Sequence, residues 1–165
     1  MKAAHPRQLQ VEDADVDRVI GAVQDLERAL CLIDLDTLAR MPIALELGDA
    51  LRSWCNPATE DAADARFVRS LYAAAVEGYA AAAHGLLARE EWSAIPDGTL
   101  TITVELAARF CADALRERYF RWDERRYPSA STHNQARTRA QLAIAETLRA
   151  ELPALRELTA RAFAG

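Results

Sequence analysis

Apolar residues recur at steps of three and four through almost every segment of this 165-residue chain, and that rhythm restricts it to a fold built from helices. Val16, Val19, Ile20, Val23, Leu26 and Leu30 predict an amphipathic helix opened by Asp13 or Asp15, which Gly21 weakens by about 1 kcal/mol. Leu47 to Asn56 predicts a short helix stopped by Pro57. Thr59, Glu60 and Asp61 read as the start of a helix running to Ala83, with Phe67, Val68, Leu71, Tyr72, Ala75, Val76 and Tyr79 inward. His84-Gly85 is its stop signal, Gly85 taking the left-handed position. A short helix follows from Arg89 to Ala94.

Asp97 is expected to cap a long helix from Gly98 to Arg118. Thr99 to Val104 alternates like a strand, but the helical stripe Leu100, Val104, Ala107, Phe110, Cys111, Ala114, Leu115 is longer and is preferred. After an aromatic and charged connection, Thr132 to Leu152 predicts another helix, with Leu142, Ala145, Leu148 and Leu152 inward. Pro153 suits the first turn of a last helix that ends near Phe163. The first ten residues lack periodicity and read as a loose arm.

Composition agrees. Gly and Pro number 6 each, too few for a many-turned sandwich or barrel. The net charge of -5 argues against a broad nucleic-acid face. No apolar run nears the roughly 20 residues that cross a bilayer, and Met1 to Pro6 lacks a signal peptide's apolar stretch, so a cytoplasmic chain is expected. Cys31, Cys55 and Cys111 are odd in number and widely spaced, which suits reduced, buried thiols.

The segment Cys31-Leu32-Ile33-Asp34-Leu35-Asp36 is the one extended candidate. In a strand, Asp34 and Asp36 share a face. Two such carboxylates can hold Mg²⁺, which prefers oxygen ligands; equally, they can cap turns or pair with arginines. His5, His84 and His133 are isolated, and His133-Asn134 reads as a helix-start pair. Arg116, Arg118, Arg121, Arg125 and Arg126 alternate with Tyr119, Phe120, Trp122 and Tyr127. Asp113, Glu117, Asp123 and Glu124 lie among them, so a salt-bridged, solvated face is expected there rather than an RNA site.

Five blocks, "LCLIDLDTL", "LGDALRSWCN", "VEGYAAAAHGLLAREEW", "LTITVELAARFCADALRERYF" and "HNQARTRAQL", occur in this order. Together they resemble the C-terminal part of the aminoglycoside phosphotransferase family, in the branch of sugar and hexosamine kinases, over about residues 30 to 150. The resemblance implies a mainly α fold: the helical large lobe of a protein-kinase-like phosphotransferase. Residues 1–30 would be a divergent segment, arm plus helix, and residues 31–165 the lobe. It further implies ATP and Mg²⁺ as cofactors and transfer of the γ-phosphoryl group to a small-molecule hydroxyl. Asp34 matches the metal ligand that meets the nucleotide, and Asp36 a second acid beside it. Gly48 and Asp49 match a stretch that shapes the lobe below the site, and the region after Arg116 follows its substrate side.

No Gly-rich loop, lysine or His-x-Asp loop of that family precedes Asp34, and Asp15 lacks the expected His and Asn around it. The small β lobe is thus expected to be absent and the chain inactive alone, as a truncated product or fragment. The alternative is a non-catalytic helical binding protein that covers its exposed apolar surface by forming a homodimer.

Overall fold

The computed structural model describes residues 41–83 and 85–164. Five helices make up 72% of the described residues, which contain no strand. They are α1 (Ile43–Trp54), α2 (Arg69–Ala82), α3 (Arg89–Ser93), α4 (Ile95–Arg116) and α5 (Ala130–Ala164). A mainly α chain is what the periodicity required. No helix among the described residues is long and apolar enough to cross a membrane.

α4 and α5 form the central pair; α1 packs on α4, and α2 on α5. The α1–α4 crossing is made by glycines. A Cβ on Gly48 would lie 2.8 Å from the Gly98 carbonyl carbon, and one on Gly98 would run into the Ala44 backbone. Two backbones meet here with no side chain between them. On α1 and α4, Ala44, Leu51, Ile95 and Phe110 are buried, and on α2 and α5 so are Leu71, Tyr72, Val76, Ile144, Leu148 and Leu155.

The segment expected to open a helix at Thr59 does not. Residues 56–68 form an irregular loop, and α2 starts only at Arg69. Side chains explain the delay. Asn56 accepts the N–H groups of Ala58 and Arg66 and donates to the Ala58 carbonyl, so it organises the loop from within. The Thr59 hydroxyl turns to Asp61 at 2.8 Å instead of capping a backbone N–H. The Phe67 N–H is taken by Thr147 of α5 at 2.9 Å.

α4 begins at Ile95 with Pro96 in its first turn, so Asp97 lies inside the helix, where it pairs with Arg156 at 2.7 Å. The Thr99–Val104 stretch is helical. Ala107, Phe110 and Ala114 are buried as expected, but in the first half of the helix Thr99 and Thr103 face inward where Leu100 and Val104 were expected. Val104 is 47% and Leu115 86% exposed, and Cys111 is exposed too. The threonines can go inside because each hydroxyl donates to the carbonyl four residues earlier, at 2.8 Å for Thr99 and 2.7 Å for Thr103. Cys55 is buried as expected.

α5 is one helix of 35 residues, with Pro153 inside it rather than at a break. Pro153 and Arg149 are both exposed, so water can satisfy the Arg149 carbonyl that proline leaves unbonded. Both flanks are anchored. Leu148 and Leu155 are fully buried, Tyr72 bonds Thr159 at 2.7 Å, and Phe163 stacks on Trp92 with centroids 5.6 Å apart. Leu142, expected inward, is 47% exposed. Gly85 has the positive φ expected of it, 77°; His84 lies outside the described residues.

Candidate functional site

The connection between α4 and α5, residues 117–129, is tied down by two polar knots, and an open cleft lies against the first. α4 ends on Glu117, a non-glycine residue in the left-handed region (φ 50°, ψ 46°). That reversal aims three successive N–H groups at Asp113, which is 5% exposed. Its carboxylate accepts from Arg118 at 3.0 Å, Tyr119 at 2.9 Å and Phe120 at 2.9 Å. A fourth donor is the Asn134 amide of α5, at 3.0 Å. The backbone N–H groups of Phe120 and Arg118 are the main reason its carboxyl sits below the usual range. Asp113 is thus a clamp with its oxygens already spoken for, and not a free base.

The second knot is built on Asp61 from the 56–68 loop. Its carboxylate accepts the Tyr127 hydroxyl at 2.7 Å and meets Arg126 at 2.9 Å and His133 Nε2 at 3.3 Å. Burial raises its pKa, but hydrogen bonds from Tyr127 and Thr59 outweigh this and bring it down to about 2. His133 Nδ1 accepts the Asp123 N–H at 3.1 Å, and its ring stacks on Tyr127 with centroids 4.2 Å apart. Both ring nitrogens are engaged, so His133 has no lone pair to offer a substrate. It is a buried strut, more deeply embedded than a helix-start residue needs to be. Arg137 joins the knots. It donates to the Arg121 carbonyl at 2.9 Å and to Asn134 at 3.2 Å, and pairs with Glu60 at 3.4 Å.

The cleft beside Asp113 has a volume of about 440 Å³ and is lined by Arg109, Ala112, Asp113, Arg116, Arg118, Tyr119 and Phe120. Tyr119 is 71% exposed and stands edge-on to Phe120, centroids 4.8 Å apart. Phe120 packs on the buried Phe110 at 4.5 Å, which gives the outer ring a firm base. Arg109 donates to the Tyr119 hydroxyl at 3.1 Å, and its guanidinium lies 5.2 Å from that ring's centre. Guanidinium donors, a phenol and an exposed aromatic edge suit a hydroxylated or anionic small molecule. Among the described residues that line the cleft there is no histidine or cysteine.

The expected metal pair, Asp34 and Asp36, lies outside the described residues, as do Asp15, Cys31 and the extended segment around them. Among the described residues no group of three or more His, Cys, Asp or Glu side chains is placed to hold a metal ion. Gly48 sits at the α1–α4 crossing, its neighbour Asp49 pairs with Arg52 at 2.7 Å on the surface, and Asn56 organises a loop. The arginine-rich connection departs from the expected salt-bridged face. Its Asp113 binds backbone and its Asp123 accepts the Arg125 N–H, while among the described residues the ion pair it makes through Arg126 reaches back to Asp61. The sequence offered Asp113 only as an acid of a solvated face and Asn134 only as part of a helix-start pair, not as partners in a clamp. One signal was present: an acid in the last turn of a helix opposes the helix dipole, so Asp113 needed another partner. No family model matches the sequence.

Proposed function

We propose that this chain is the helical lobe of an ATP-dependent phosphotransferase whose acceptor is a hydroxyl of a small, sugar-like molecule. In this reading Asp34 and Asp36 hold the Mg²⁺ that accompanies ATP, and the Arg109–Tyr119 cleft takes the acceptor. The observation that carries it is the Asp113–Asn134 hydrogen bond. It joins two of the blocks that bear the resemblance, Leu100 to Phe120 and His133 to Leu142, and the same carboxylate fixes the wall of the cleft. Phosphoryl transfer is mostly positioning and charge neutralisation. One acidic pair and one cleft cannot align ATP with its acceptor, so the lobe alone binds without turnover.

Calorimetry on the purified chain tests this. Mg-ATP is expected to bind, and Asp34→Asn to weaken that binding at least tenfold. An absence of heat with Mg-ATP sinks the nucleotide reading.

A second reading is favoured by Val104, Leu115 and Leu142, which leave apolar surface exposed on α4 and α5. Here the chain is a non-catalytic binding protein that self-associates. A monomer–dimer equilibrium in sedimentation, together with silence toward Mg-ATP, would select it.

A further inference from the structure

We infer that the cleft selects an acceptor bearing a negative charge, a phosphorylated or carboxylated sugar, over a neutral sugar or a polycationic aminoglycoside. The inference rests on the acceptor reading of the cleft and adds the charge of its ligand.

Three guanidinium groups, from Arg109, Arg116 and Arg118, belong to residues lining one opening. The acid among the lining residues, Asp113, keeps its own charge, but one carboxylate against three guanidinium groups leaves the lining net positive, and its oxygens already accept four N–H groups of the protein. Glu105 stands 3.7 Å from Arg109 along the same helix, a loose pairing. Among the described residues neither Arg116 nor Arg118 forms an ion pair. The helix dipole accounts for Arg116, which lies in the last turn of α4. It does not account for Arg118, which follows the left-handed reversal at Glu117, or for Arg109, nearly two turns earlier. The chain as a whole carries a net charge of -5, so this concentration of positive charge runs against the overall balance of the chain. Guanidinium groups match carboxylate and phosphate oxygens in a planar, two-point fashion. Tyr119 adds a face and a hydroxyl for the sugar ring. A polycation entering the same opening meets like charge.

Calorimetry with the full chain, at low and raised salt, compares a hexose 6-phosphate, the free hexose, an aminoglycoside, inorganic phosphate and Mg-ATP. The hexose phosphate is expected to bind at least tenfold more tightly than the free hexose or inorganic phosphate. The preference should shrink to threefold or less in Arg116→Ala/Arg118→Ala and at raised salt. Both arginines are exposed, and circular dichroism checks that the double variant is folded. Equal affinity for hexose and hexose phosphate, tighter binding of the aminoglycoside, or phosphate alone binding as well as the sugar phosphate overturns the inference while the lobe assignment stands. Displacement of the sugar phosphate by Mg-ATP assigns the cleft to nucleotide and overturns the inference together with the acceptor reading of the cleft. Failure of every carbohydrate to bind does the same.

Discussion

His133 spends both ring nitrogens on the protein, and this makes it sensitive to acid. Its ring nitrogen Nδ1 accepts the Asp123 N–H, while Nε2 faces Asp61. A proton added at Nδ1 would point at another N–H. Burial, and then the positive charge of Arg137, push its pKa below the ordinary 6.5; Asp61 pulls the other way and loses. The unfolded chain therefore takes up this proton at higher pH than the folded one. Stability is full above pH 6.5 and falls as the pH drops from there toward the lowered value. The melting temperature is expected to be level from pH 7 to 8 and to decline between pH 6.5 and 5. His133→Gln should flatten that decline while lowering the melting temperature at pH 7.5; an unchanged slope would remove His133 from the account. Asp61 acts at lower pH. Its contribution is present above the ordinary 3.8 and disappears as the pH falls through about 2.

Among the elements, α1 and α4 depend on a contact with no spare volume. Gly48→Ala places a methyl group 2.8–2.9 Å from the Gly98–Thr99 backbone, and the helices must separate to admit it. A loss of about 1–3 kcal/mol is expected in urea unfolding. α5 presents the opposite case. Pro153 lies on its exposed side, so Pro153→Ala should restore a helical hydrogen bond without disturbing packing. The gain is bounded by the roughly 3 kcal/mol that proline costs in a helix interior. These helices were largely legible in the sequence, because three-and-four spacing reports burial directly. Their details were not. In α4, Ala107, Phe110 and Ala114 were read correctly, but Thr99 and Thr103 were missed because threonine counts as polar in a pattern, yet its hydroxyl can be satisfied within its own helix. The late start of α2 was hidden because Thr59 and Asp61 look like cap residues until Tyr127 and His133, far along the chain, claim the aspartate. Pro153 looked like a boundary because a sequence does not show which side of a helix faces water.

At the scale of the whole molecule, the cleft comes from a chain reversal rather than from any one helix. Its walls were harder to read than the core for that reason: Leu-Arg-Glu-Arg-Tyr contains no glycine to announce a left-handed residue, and Asp113 meets Asn134 only once α4 and α5 are paired. Asp113→Ala should release residues 118–120 while sparing the helices. Amide exchange at those positions is expected to rise at least tenfold with helical circular dichroism unchanged, and wild-type protection there would show that the clamp is dispensable. The pairing of α1 with α4 and of α2 with α5 has a further bearing on how the molecule is made. Each early helix rests on one synthesised later, so neither has its main support while it leaves the ribosome. At about 5–20 residues per second, the apolar side of α1 stays in contact with water for on the order of ten seconds. During that interval neither early helix has the partner that buries its apolar side, and the emergence of α5 completes both pairings.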